Sequence, residues 1–233
     1  MNFNKKFLCI VPARGGSKGL KNKNLLKING IPLVLWPINA AKKVKYIDKI
    51  ILSSNSKKIL NIAKNRNIIL ESRSKRLSTD RSSTYSVIEN ILKKKIYKSY
   101  KYLICLEPTS PFTTSKEINK SIKMFLSKNA GSLVSIAEAN QSNPNFLFYK
   151  NQRNLIKPYI QKKYKHLRRQ DIKPTFFPEG SLYISKVKDF IKSRGFFGKK
   201  TIGYVIPKFY NIEIDDRTDL KIARSIAKYS KIK

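Results

Sequence analysis

The stretch Val11-Pro-Ala-Arg14-Gly15-Gly16-Ser17-Lys18-Gly19-Leu20-Lys21-Asn22-Lys23-Asn24-Leu25 follows the apolar run Phe7-Leu-Cys-Ile-Val11. The run reads as a buried strand. The three glycines after it let the backbone turn tightly and aim consecutive N–H groups at one point, an arrangement that binds anions, phosphates above all. Arg14, Lys18 and Lys23 add positive charge around that point, and Asn24 both donates and accepts. The spacing is neither the P-loop pattern nor GxGxxG. The residues alone therefore fit two readings: a polyphosphate cradle at the C-terminal end of the first strand, or a plain turn with surface lysines.

Outward from this loop the chain alternates. Ile31–Lys43 reads as a helix with Pro32 at its first position and Pro37 inside it, which implies a kink or break. Strands are expected at Lys49–Ser53, Ile68–Glu71, Tyr102–Glu107, Leu133–Ala137 and Thr201–Ile206. Helices are expected at Ser56–Asn65, Thr84–Tyr97, Ser115–Ser127 and Thr218–Tyr229. Near-continuous apolar strands alternating with helices argue an α/β fold with a mostly parallel sheet covered on both faces. Ligands in such sheets gather at the C-terminal ends of strands.

With 233 residues the chain suits one α/β domain, and no repeat or linker divides it. Cys9 and Cys105 fall inside expected strands, which reads as free-thiol core usage suited to a reducing cytoplasm. The N-terminus lacks the apolar core of a signal peptide and no run is long enough to span a membrane, so a cytoplasmic protein without membrane insertion is expected. The net charge of +36 is the loudest feature and raises nucleic-acid binding as a rival function. It is spread along the whole length rather than gathered in a tail or stripe, so no nucleic-acid partner is expected. Its pull on small anions remains.

Other stretches carry chemistry at expected strand tips. Arg73 offers a guanidinium suited to phosphate or a pyrimidine carbonyl, although Arg73, Lys75 and Arg76 also fit a solvated loop. In Glu107-Pro108-Thr109-Ser110-Pro111 two prolines force the chain out of the sheet and present side chains there. In Ile212-Glu213-Ile214-Asp215-Asp216, extended backbone puts Glu213 and Asp215 on one side. With only 14 acidic residues in the chain, such a pair invites a metal reading, since Mg²⁺ takes hard oxygens with phosphate and water filling its other positions. The competing reading is that Asp215 or Asp216 merely opens the next helix.

The whole loop string resembles the N-terminal signature of the acylneuraminate cytidylyltransferase family, which makes CMP-sialic acid and related CMP-activated nine-carbon sugar acids. That pattern is roughly I-P-A-R-G-G-S-K-G-(I/L)-x-x-K-N-(I/L), met here except for Val11 at the leading position. Arg73 to Asp80 resembles R-P-A-x-L-(A/S)-x-D, Glu107–Pro111 resembles (Q/E)-P-T-S-P, and Glu213–Asp215 resembles D-x-D. Arg168-Arg169-Gln170-Asp171-Ile172 and Pro178–Ile184 resemble R-R-Q-(D/E)-L and x-N-G-(A/S)-(I/L)-Y-I, while Phe196-Phe197 matches an aromatic pair.

The resemblance implies a Rossmann-like three-layer nucleotidyltransferase domain over 1–233, with a dimerisation and substrate-lid insert at 140–200 that includes a small hairpin arm. It implies a homodimer that uses CTP, a nonulosonic acid and Mg²⁺. Nucleotide contacts fall to Arg14, Gly15, Gly16, Ser17, Lys23, Asn24, Arg73, Thr84 and Glu107. Sugar contacts fall to Arg169, Gln170, Tyr183, Phe196 and Phe197, although ordinary packing explains the two phenylalanines equally well. Glu213 and Asp215 would hold the metal. Arg14, Lys18, Lys23 and Asp215 would carry catalysis, in which the sugar's anomeric hydroxyl attacks the α-phosphorus and pyrophosphate leaves. Several positions depart from the pattern. Glu107 stands where Gln is commoner, Glu179 where Asn is, and Glu213 where Asp is, and no Lys stands near Phe146. The departures at Glu107, Glu179 and near Phe146 keep legionaminic or pseudaminic acid open as the substrate. A nucleotide-binding relative without turnover and a basic nucleic-acid-binding protein are the rival functions.

Overall fold

The computed structural model describes residues 6–16, 19–79, 82–139, 142–160, 168, 170 and 172–230. Its strands are β1 (Phe7–Pro12), β2 (Lys27–Ile28), β3 (Ile31–Pro32), β4 (Ile47–Ser54), β5 (Ile69–Ser72), β6 (Tyr102–Leu106), β7 (Ser132–Glu138), β8 (Phe148–Lys150), β9 (Ile156–Pro158), β10 (Phe176–Lys186) and β11 (Thr201–Val205). Its helices are α1 (Leu35–Lys42), α2 (Lys57–Ala63), α3 (Thr84–Leu92), α4 (Ser115–Ser127), α5 (Val187–Ser193) and α6 (Arg217–Tyr229).

Seven strands form one sheet in the order β11-β7-β10-β6-β1-β4-β5. Only β10 runs antiparallel to its neighbours, β6 and β7, and the remaining pairs are parallel. The residues of β1 explain the layering. Phe7, Cys9 and Val11 point into a core with Ile38 of α1, Ile59 of α2 and Ile122 of α4. Leu8 and Ile10 point into the opposite core with Ile88 and Ile91 of α3 and Phe190 of α5. All five of these β1 side chains are buried, so a strand apolar on both faces is sandwiched between two helical layers, the three-layer arrangement expected. Cys9 and Cys105 are buried free thiols, and burial pushes both thiols up in pKa.

A third core builds the rim beside the glycine loop. Leu220, Ala223 and Ala227 of α6 pack with Leu20, Ile28, Leu33, Trp36, Phe112 and Ile214. This cluster fastens the C-terminal helix next to the first loop, some 200 residues earlier in the chain.

Several expected elements are redrawn. Ile31 and Pro32 pair with Lys27 and Ile28 in a small hairpin, so Pro32 does not open a helix. α1 starts at Leu35, which puts Pro37 in its first turn. The N–H groups of that turn have no intrahelical partner, so the proline removes nothing and no break is needed. The expected helix to Tyr97 stops at Leu92, followed by a 3₁₀ turn at Lys95–Tyr97. Ile212–Asp215 is extended but not part of the sheet. Of residues 140–200, Phe176–Ser193 forms β10 and α5 within the main layers. The β8–β9 hairpin alone makes a separate two-stranded sheet there, among the described residues.

Candidate active site

The glycine loop leaves the tip of β1 and is pinned to the neighbouring strand β4. Ala13 N–H donates to the Ser53 carbonyl at 2.9 Å, and Gly15 N–H donates to Asn55 Oδ1 at 2.8 Å. A Cβ on Gly15 would stand 2.8 Å from that of Ser56, so only glycine fits. Asn55, just past the tip of β4, thus shapes the loop, while its neighbour Ser56 caps α2. Gly16 faces open space. Ser17, Lys18 and Arg169 lie outside the described residues.

Asn22 turns the chain in the left-handed region (φ 56°), a conformation Asn tolerates, and starts the 3₁₀ turn Lys23–Leu25. Asn24 is buried. Its Nδ2 donates to the Arg14 carbonyl at 2.9 Å, while its Oδ1 has no hydrogen-bond partner. Lys23 Nζ meets Asp215 Oδ1 at 3.0 Å. A Cβ on Gly19 would come within 2.5 Å of the Asp215 carbonyl oxygen. The glycine loop and the acidic segment near the C-terminus are therefore in direct contact.

On the far side of the loop, Arg73 is held by the end of β4, with Nη2 donating to the Ser53 carbonyl at 3.0 Å. Thr84 is the first residue of α3, capped by Ser83. Arg14, Lys23, Asn24, Arg73, Thr84 and Glu107 all line one cavity of about 310 Å³, joined by Ser82 and Thr109. Burial, seconded by the charge of Glu213, pushes the Glu107 carboxyl up to about 7, although Arg73 and Lys23 oppose the shift.

Beside the cavity, Thr109 Oγ1 donates to Glu213 Oε1 at 3.4 Å, and Ile214 N–H donates to the Thr109 carbonyl at 2.9 Å. Ile214 is buried between two outward carboxylates, as extended backbone requires. Burial and then the charge of Asp215 raise the pKa of Glu213, which marks the two acids as close neighbours. Asp216 takes the helix-opening role: its side chain accepts from the N–H groups of Thr218 and Asp219 in a capping box. Asp215 is thereby left to face Lys23. Among the described residues no group of three His, Cys, Asp or Glu side chains would hold a metal ion by itself.

The remaining expected contacts separate. Tyr183 stacks on Phe196, centroids 4.9 Å apart, and the charge of Glu107 helps raise its pKa after burial. Phe196 is 7 % exposed and packs against Phe190, which makes it a core residue within this chain. Phe197 is 61 % exposed. Gln170 is exposed and does not line the cavity. Thr109 was not expected as a contact, although it lies inside the motif that contains Glu107.

The cleft lies at the C-terminal edge of a mostly parallel sheet, cationic along one wall and acidic at its mouth, a geometry suited to phosphorylated ligands. Residues 8–214 match the model of a family described as cytidylyltransferase, and the chain belongs to that family. It is 30% identical over 216 residues to an N-acylneuraminate cytidylyltransferase of Streptococcus agalactiae serotype V, an alignment covering 92% of this chain and 51% of that protein. The chain thus spans about half the length of that relative. It is 27% identical over 226 residues to a pseudaminic acid cytidylyltransferase of Campylobacter jejuni, covering 96% of this chain and 97% of the other. A solved CMP:2-keto-3-deoxy-manno-octonic acid synthetase, complexed with CTP, superposes with a TM-score of 0.70 at 14% identity. That match covers 97% of this chain and 100% of the other, a likeness of fold. No helix among the described residues is long and apolar enough to cross a membrane.

Proposed function

We propose that the protein transfers CMP from CTP to the anomeric hydroxyl of a nonulosonic acid and releases pyrophosphate. The observation that carries this reading is the meeting of Lys23 and Gly19 with Asp215 at the mouth of the cleft lined by Arg14, Arg73 and Glu107. The family and the named relatives support the nucleotide and the class of sugar acid.

The chain's own residues divide the work. Backbone amides of the glycine loop, with Arg14, Lys18 and Lys23, hold the triphosphate and offset the charge that develops as pyrophosphate departs. Arg73 and Thr84 orient the nucleotide, and Glu107 meets it at the tip of β6. Glu213 and Asp215 would hold Mg²⁺. Two adjacent hard-oxygen donors suit that ion when substrate phosphates complete its shell. The bound ion supplies neutralisation of phosphate oxygens and alignment of the in-line attack. Arg169, Gln170, Tyr183 and Phe197 remain the candidates for sugar contact. Phe196 acts there only by backing Tyr183.

A homodimer in the cytoplasm, where CTP is made, completes the reading. The exposed apolar side chains Leu147, Tyr149, Leu155 and Ile156 around the β8–β9 hairpin favour a second copy as their cover. Incubating the protein with each of the four nucleoside triphosphates, Mg²⁺ and a panel of nonulosonic acids, and measuring pyrophosphate, tests the proposal. Release that requires CTP and one class of acid is expected. Binding of CTP without release would leave a nucleotide-binding relative that lacks turnover. Silence together with steeply salt-dependent binding to DNA or RNA would overturn the enzyme reading in favour of a basic binding protein.

A further inference from the structure

The cations are spread along the sequence, but the fold sorts the acids. Glu107 and Glu138 stand at the C-terminal tips of β6 and β7, Glu179 lies in the half of β10 that starts beside Glu138, and four more acids fall within 213–219 at the opening of α6. All of these belong to the end of the sheet that carries the cleft. The opposite edge, where the parallel strands begin, is made by the loops 43–46, 93–101, 128–131, 186–188 and 199–200. Backbone bonds set these loops side by side. Phe7 N–H donates to the Tyr46 carbonyl at 2.9 Å, Val187 N–H to that of Lys101 at 2.9 Å, and Gly131 N–H to that of Lys200 at 3.0 Å.

The five loops contain no acid, and every cation in them is a lysine. Lys45, Lys95, Lys98, Lys101, Lys188 and Lys200 are exposed. Nearby carboxylates do little to offset them. Asp48 is met by Lys6 at 3.5 Å and by the Tyr100 hydroxyl, Glu89 and Glu71 pair with Lys93 and Lys94, and the Asp189 carboxylate is turned toward Gly131. An edge so short of countercharge projects a field of one sign. Within its longest lysine run stands Ile96, 66 % exposed. Its neighbour Tyr97 is buried against Leu92 and Leu103, so the 3₁₀ turn Lys95–Tyr97 is anchored with Ile96 outward. An aliphatic side chain among ammonium groups matches an anionic bilayer, whose headgroups take the charge and whose acyl boundary takes the isoleucine. Nucleic acid suits the edge less well. Tyr46 and Tyr97 are buried and Tyr100 is engaged by Asp48, which leaves these rings no open face for a base. Lysine also lacks the planar fork that reads base edges.

We propose that this edge, opposite the cleft, is a docking surface for an anionic phospholipid bilayer. The attachment is peripheral, with Ile96 at the headgroup boundary and the cleft turned toward solvent. The test is co-sedimentation of the full chain with vesicles of phosphatidylcholine alone or with about 30% phosphatidylglycerol, whose surface potential attracts lysines. Binding to the anionic vesicles only is expected, together with its loss as salt rises from about 0.1 to about 0.5 M. Lys95→Glu, Lys98→Glu and Lys101→Glu combined are expected to weaken the partition on the order of 100-fold or more. Ile96→Ser alone is expected to weaken it about tenfold. The same charge change beside α6, Lys27→Glu with Lys221→Glu and Lys228→Glu, is expected to weaken it far less. The melting temperature checks the fold of each variant. If the first triple variant does not fold, Lys98→Glu alone is expected to give a loss of about fivefold. Failure of the parent to bind anionic vesicles overturns the proposal. Equal weakening by the two triple variants also overturns it, since the attraction would then be one of net charge without a preferred face. A DNA duplex that displaces the vesicles, with no effect of Ile96→Ser, would assign the edge to nucleic acid instead.

Discussion

Asp215 at the mouth of the cleft and Glu107 within it are both acids, yet their surroundings set them different tasks. The Asp215 side chain is 71 % exposed and pairs with Lys23. An exposed ion pair contributes little to stability. Asp215→Ala is therefore expected to lower turnover on the order of 100-fold or more while hardly moving the thermal midpoint. A fully active variant at saturating Mg²⁺ would remove Asp215 from the site. Glu107 behaves otherwise, because burial holds its carboxyl near 7 against an ordinary value of 4.5. Between those two values the folded chain binds a proton that the unfolded chain releases, so stability is lost as pH rises through that window. It is intact below about 4.5 and fully lost above about 7. Glu107→Gln removes the penalty. The variant should gain on the parent between pH 5 and 8 by on the order of 1–3 kcal/mol, read from urea denaturation at the two pH values. A gap that does not widen with pH would show that Glu107 is not desolvated in the fold.

At the scale of elements, two pieces of the chain invite separate experiments. The capping box at the start of α6 holds Asp216 away from the cleft and fixes where Asp215 emerges. Asp216→Ala should cost about 1 kcal/mol of stability and also reduce turnover, through the misplacement of Asp215. Loss of stability with unchanged kcat would separate the cap from the site. The β8–β9 hairpin exposes Leu155 and Ile156 by 63 % and 59 %. Replacing both with Asp should turn a dimer into a monomer by light scattering, and a parent that is itself monomeric would dismiss the arm's proposed role. The elements most legible in the sequence are β1 and β6, apolar throughout, and α3, α4 and α6, each with one apolar stripe. Where legibility fails, a local competitor explains it. Ile31 and Pro32 read as helix because so short a hairpin leaves no periodicity to detect. Pro37 looks disruptive only when the helix is started at Ile31 rather than Leu35. Glu107, Arg73 and Lys23 stand out by their motifs. The pinning of the loop by Asn55 and the unpaired oxygen of Glu179 do not, since both depend on which strands lie side by side.

Across the whole molecule the net charge of +36 sets the field in which these sites operate. A field of that sign draws small polyanions inward and concentrates them at concave, low-dielectric surfaces. Such a surface exists where Arg14, Lys23 and Arg73 line the cleft. Once CTP is seated, its contacts are short-range and partly buried, and mobile ions screen them much less than they screen the approach. The two stages should therefore respond differently to salt. Raising ionic strength from about 50 to about 200 mM roughly halves the Debye length, so kcat/KM for CTP is expected to fall severalfold while kcat stays nearly constant. The experiment is a salt titration of initial rates at fixed Mg²⁺, with an inert polyol as a viscosity control. If kcat fell in step with kcat/KM, the charge would be acting on the chemical step rather than on capture of the nucleotide. If neither moved, the excess lysine would be irrelevant to catalysis, and the cations that matter would be only those lining the cleft.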